Sequence, residues 1–162
     1  METDHDAGRA YLRHALATLA YRGAKALRGA PAAFATFRVG ESTRRPGEIL
    51  AHMCDLIDWA ISIAKGEQAW HETKPRTWEI DCQRFFDALT QFDRYLGSDA
   101  KLSSPPEKLF QGPIADALTH VGQLTLLRRL SGAPVRGENY FKAKIAVGRV
   151  GADQNAAEVE FD

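Results

Sequence analysis

"PGEILAHMCDLIDWAISIAK", residues Pro46 to Lys65, comes nearest of any stretch in this chain to a membrane-spanning run. Its reading decides between a segment in lipid and a helix of a packed core. A span needs about 20 consecutive apolar residues, and His52, Asp55 and Asp58 interrupt this one. Ile49, Met53, Leu56, Ala60 and Ile63 recur instead at helical intervals and form one stripe. Pro46 suits the first helical turn, where its missing N–H costs no bond, and Glu48 favours the positive helix end. The spacing predicts an amphipathic helix over 46–65, with His52 standing inside its apolar stripe.

Three further segments carry the same period. From about Ala7 to Leu27, the apolar positions are Leu12, Leu16, Leu19, Gly23 and Ala26/Leu27, leaving Arg9, Arg13, Arg22 and Lys25 for the other side. "GAPAAF" ends that helix with Gly beyond the last turn and Pro after it. From about Trp78 to Leu96, Cys82, Phe85, Phe86, Leu89, Phe92 and Leu96 face inward. "SSPPE" then reads as a start signal, with Ser104 capping, Pro105 first in the helix and Glu107 completing a capping box. Gly112-Pro113 is expected to interrupt this short helix, and Pro113 to open a fourth long one lasting to Ser131.

The tail from Val135 to Asp162 has no clear period. "KIAVGRV" could be extended and "AEVEFD" alternates, without an obvious pairing partner for either, so the tail is expected to wrap the surface. Four amphipathic helices with little strand predict an all-α four-helix bundle over 1–134, with an irregular C-terminal tail over 135–162 packed on the same domain.

Composition narrows the classes of function. The chain has 162 residues, 44% apolar and 26% charged, as in ordinary globular proteins. Lys plus Arg (21) balance Asp plus Glu (21), so no global field draws nucleic acid or an anionic membrane. Cys54 and Cys82 lack CxxC spacing and read as buried free thiols. The N-terminus has no apolar signal region, and the expected location is cytoplasmic.

Polar groups on the inward faces carry what chemistry the sequence offers. "DALTHVGQLTLLRRL", Asp116 to Leu130, has the stripe Ala117, Leu118, Val121, Leu124 and Leu127, preceded by Ile114. Asp116 and His120 are four apart and stack on nearly one face. With His52 from a facing helix they could bite one ion, leaving positions for water or substrate. The same spacing is equally met by core residues satisfied within the protein. Gln123, three after His120, could hold a water or bond across a helix interface. Asp55, three after His52, could orient an imidazole or be a solvated carboxylate. His5, His14 and His71 read as surface residues, Trp59 as core, and Arg128-Arg129 as complements to a helix dipole.

"PGEILAHMCDLIDWA", followed far downstream by "DALTHVGQLTLLRRLSG", resembles the DinB-like (DinB/YfiT-like) family of metal-dependent four-helix-bundle proteins. Family members typically carry one His on the second helix and an H-x-x-x-H pair on the last, leading into an R-G-Q-like sequence. His52 matches the second-helix ligand and His120 the His before "VGQ", with Val121 where Arg is common. Asp116 falls where the first His of the pair usually stands. The resemblance covers roughly Ala7 to Gly132 in architecture, and its motifs lie on the second and fourth helices. It implies a divalent metal (Zn, Ni, Fe or Mn) held by His52, Asp116 and His120, and a homodimer. It further implies a small-molecule substrate, with a low-molecular-weight thiol bound as thiolate in a thiol S-transferase, or a hydrolase using bound water. The alternative from another class is a non-catalytic helical scaffold, or a dimer that binds a small ligand without metal.

Overall fold

The computed structural model describes the backbone of residues 4–161 and the side chains of residues 7–161; the side chain of His5 lies outside them. Four long helical segments dominate. Helix α1 runs Asp4–Leu27, α2 Pro46–Lys65 and α3 Trp78–Leu96. The last begins as α4 (Pro106–Leu109), passes through a π-helical turn (Phe110–Ile114), and continues as α5 (Ala115–Leu130). Each long helix packs against two others: α2 on α3 and α5, and α1 on the same pair. The chain is thus mostly helical and all-α in class, as the four apolar stripes required.

Local signals explain the ends. The Glu48 side chain accepts the Arg45 backbone N–H at 2.6 Å, satisfying one donor ahead of α2. Gly66 stops that helix at φ +89°, a conformation glycine adopts without strain. The Thr77 hydroxyl caps α3 by accepting from the Ile80 N–H at 3.4 Å.

The stripes meet in one core. Leu12, Leu16 and Leu19 from α1, Met53 and Ile57 from α2, Phe85, Leu89 and Phe92 from α3, and Leu124 from α5 are fully buried. Gly23 has a steric role, since a Cβ there would lie 2.9 Å from Cε1 of Phe85. Its absence lets α1 approach the ring closely.

Several expectations need correction. Gly112-Pro113 does not break the last helix. The chain absorbs Pro113 in the π-turn, whose wider spacing accommodates the missing N–H. Helix α4 starts at Pro106 behind Pro105, with no side-chain cap, so Ser104 does not cap it. Arg9 does not lie on an exposed face. It is buried, and Nη1 donates to the carbonyls of Leu96 (3.2 Å) and Ser98 (3.1 Å), while Nη2 donates to that of Ala100. Arg128 is also buried, where its guanidinium donates to Ala26 O, Arg28 O and Ala133 O at 2.7–3.0 Å. Both arginines satisfy carbonyls that helix ends leave over, a use that periodicity does not reveal.

The tail finds a partner within itself. Gly137–Glu138 pairs antiparallel with Glu160–Phe161, so the end of "AEVEFD" is a strand and "KIAVGRV" is not. Glu138 fastens this ladder to α1, accepting from Tyr21 Oη at 2.5 Å and Lys25 Nζ at 2.7 Å. Val150 adds a buried side chain to the core.

Candidate metal centre

The packing of α2 on α5 brings the three sequence-selected ligands together. The π-turn ends immediately before Ala115. Its extra residue rotates everything after it by about 100° relative to an unbroken helix. Asp116 and His120, one turn apart on α5, then face His52 on α2. Oδ2 of Asp116 stands 3.6 Å from Nε2 of His52, and Oδ1 stands 4.0 Å from Nδ1 of His120. The two imidazole centroids are 4.8 Å apart. One donor atom from each residue can be chosen so that all lie within 4.8 Å of one another.

His120 supplies the most telling detail. It is 8% exposed, and neither ring nitrogen has a hydrogen-bond partner among the described residues. Buried polar atoms are normally paired, because leaving one dry and unbonded costs about 1–3 kcal/mol. Burial pushes the His120 pKa below its ordinary 6.5; Asp116 opposes the shift, and His52 and Arg44 add to it. The ring is therefore neutral at pH 7, with a lone pair available, which is the form a metal needs.

The donor set fits a divalent ion of the Zn, Fe, Ni or Mn group, since two imidazoles and a carboxylate suit all four. Donors placed tetrahedrally at about 2.1 Å lie roughly 3.4 Å from one another. Ligation thus asks the widest donor separation to close by at most about 1.4 Å.

Three clefts meet here, each reached by a different member of the trio. His120 lines a cleft of about 410 Å³ with Arg44, Ile49, Gln123, Leu126 and Leu127. His52 lines a polar one of about 420 Å³ with Arg44, Glu48, Asp55 and Thr73. Asp116 lines a third, about 410 Å³, with Trp59, Gln111 and Thr119. Such openings bring solvent and small molecules to the edge of the trio, while the His120 ring nitrogens stay buried.

The outer candidates differ in placement. Gln123 is exposed at the first cleft, with no described bond to His120. Asp55 is buried, not solvated. Its oxygens accept from Thr73 N (2.9 Å), Thr73 Oγ1 (2.7 Å) and Arg84 Nη2 (2.6 Å). Its bonds therefore anchor the loop after α2 and hold α3; none goes to His52. His14 and His71 are exposed, as read.

The sequence reading missed two residues. Trp70, in the loop after α2, packs in T-shaped contact with His52 and Trp59, ring centroids 5.7 and 5.8 Å apart. Trp59 is accordingly only half-buried. Arg44 lines two of the three clefts, and its place two residues ahead of Pro46 was the available signal.

Neither protein thiol is poised to react. Burial pushes the Cys54 thiol far up and that of Cys82 up to about 12, so both stay protonated at neutral pH. Cys54 is buried and Cys82 half-buried.

No family model, curated protein or solved structure matches the chain. Among the described residues, no helix is long and apolar enough to cross a membrane.

Proposed function

We propose that this protein is a metal-dependent enzyme of the DinB-like type, a four-helix bundle whose His52, Asp116 and His120 hold one divalent ion. The single observation that carries the reading is His120, buried beside a carboxylate and a second imidazole, with neither ring nitrogen partnered among the described residues. A core histidine satisfied within the protein would have a hydrogen-bond partner, and none is found for this one among the described residues. The closed pattern of helix contacts supports the bundle. The resemblance of the two histidine-bearing stretches supports the family.

A bound ion would supply Lewis acidity, lowering the pKa of a thiol or a water at the open positions. The chain's own residues do the rest. His120 and His52 present ring nitrogens from two helices, and Asp116 would offset part of the ion's charge. Trp70 and Trp59 restrict approach on the His52 side. Because both protein thiols are kept protonated, a thiolate nucleophile would come from a small molecule, which makes thiol S-transfer and hydrolysis the two reaction classes to test.

Elemental analysis of tag-free protein, prepared without chelator and reconstituted with Zn²⁺, Ni²⁺, Fe²⁺ or Mn²⁺, tests this. The expected result is near one equivalent of one metal in the wild type and less than a tenth of that in His52→Ala and His120→Ala. No retained metal under any condition would favour the non-catalytic scaffold.

A further inference from the structure

Arg44 is exposed just ahead of α2, and no hydrogen bond or ion pair to its guanidinium is found among the described residues. Glu48, which lines the His52 cleft with Arg44, already accepts the Arg45 N–H. Arg44 forms a wall of both the His120 cleft and the His52 cleft.

The cleft it shares with His120 is two-sided in character. Ile49, Leu126 and Leu127 make an apolar floor, and Leu126 is 56% exposed there. Ser42 and Gln123 add polar groups with no bonds of their own among the described residues, and Thr43 is occupied in a turn with Gly40. A volume of about 410 Å³ falls in the lower part of the range for small-molecule sites. Arg44 is the one fixed cation of that lining, so a monoanion matches it better than a dianionic phosphate would. A guanidinium fork meets a carboxylate with two parallel hydrogen bonds.

We propose that Arg44 anchors the carboxylate of an amphipathic small-molecule substrate, whose apolar body lies on Ile49, Leu126 and Leu127 and whose far end reaches the His52–Asp116–His120 trio. The inference rests on the metal reading for what happens at that far end; capture of the carboxylate does not depend on it. Arg44 is here a binding residue that fixes the substrate's direction.

The test uses hexanoate, hexanol and hexyl phosphate as probes, with backbone amide shifts read by NMR on the full chain, both metal-free and loaded with Zn²⁺. In the metal-free wild type, hexanoate is expected to shift the amides of Ile49, Leu126 and Leu127. Arg44→Gln should weaken hexanoate at least tenfold and leave hexanol unchanged, and Arg44→Lys should recover part of the loss. Zn²⁺ uptake by Arg44→Gln should equal or exceed that of the wild type, since a nearby cation has gone. Equal hexanoate affinity in wild type and Arg44→Gln would overturn the inference, and so would hexyl phosphate binding where hexanoate does not. Failure of Zn²⁺ to bind any variant would instead count against the metal reading, and the metal-free series would still decide the role of Arg44.

Discussion

In metal-free protein, His120→Leu raises the thermal midpoint, although it removes the residue at the centre of the site. His120 carries two buried ring nitrogens without partners among the described residues. Leucine is of similar size and packs against Ala117, Val121 and Leu124 on the same helix face. Removing the unpaired polar atoms should stabilise by about 1–3 kcal/mol, which for a chain of this size is roughly 2–4 °C per kcal/mol. Adding metal reverses the order. An ion at a thousand times its Kd stabilises the wild type by about 4 kcal/mol, and the variant gains nothing.

The same ring sets a pH dependence. The folded-state pKa of His120 lies below 6.5 because burial disfavours the imidazolium. Above pH 6.5 the ring is neutral in both folded and unfolded chains and contributes no slope. Below it, the unfolded chain takes up a proton that the folded protein resists, so stability is lost as pH falls through the folded pKa. His120→Leu should lack that part of the acid loss. Thermal scans from pH 8 to pH 5, with and without Zn²⁺, check all three statements. A variant less stable than the metal-free wild type at pH 7 would mean that His120 already has its partner within the protein.

The second large effect belongs to Asp55, three residues from His52 but engaged elsewhere. Asp55→Ala should cost about 3–5 kcal/mol, the usual consequence of leaving one member of a buried pair behind. Arg84 would keep only Asp58, whose side chain is 48% exposed, and Arg84 Nη1 is already without a partner among the described residues. Thr73 would lose the acceptor for both its N–H and its hydroxyl. Asp58→Ala removes a solvent-facing ion pair to the same guanidinium and should cost under about 1 kcal/mol. Urea unfolding of the two variants makes the comparison. Equal costs would contradict the view that Asp55 is a buried anchor for the loop carrying Trp70.

Asp55 also shows where the sequence was legible and where it was not. The bounds of α2 and α3 could be read directly, because stripes such as Ile49–Met53–Leu56–Ala60 state which face is buried. Periodicity treats a charged residue as outward, however. It cannot say that Asp55 is covered by Arg84 from another helix, or that Arg9 and Arg128 turn inward to reach helix-end carbonyls. Those contacts join residues far apart in sequence and leave no local pattern.

The helix carrying Asp116 and His120 was partly legible for a related reason. Their i, i+4 spacing placed them on one face. Gly112-Pro113 marked a disturbance, but whether it would break the helix or widen it depends on packing against α1 and α2. The strand pair at the tail needed a partner some twenty residues away, and each strand is only two residues long. Arg44 was visible only as one of two adjacent arginines until the clefts gave it a location.

The central claim is that His52, Asp116 and His120 close on one ion. The most direct measurement is a crystal structure of metal-loaded protein, with anomalous diffraction recorded on either side of that metal's absorption edge. The account predicts one strong anomalous peak per chain, about 2.0–2.3 Å from a nitrogen of each histidine and an oxygen of Asp116. Metal elsewhere, or none, with His120 Nδ1 or Nε2 hydrogen-bonded to the protein, would contradict it.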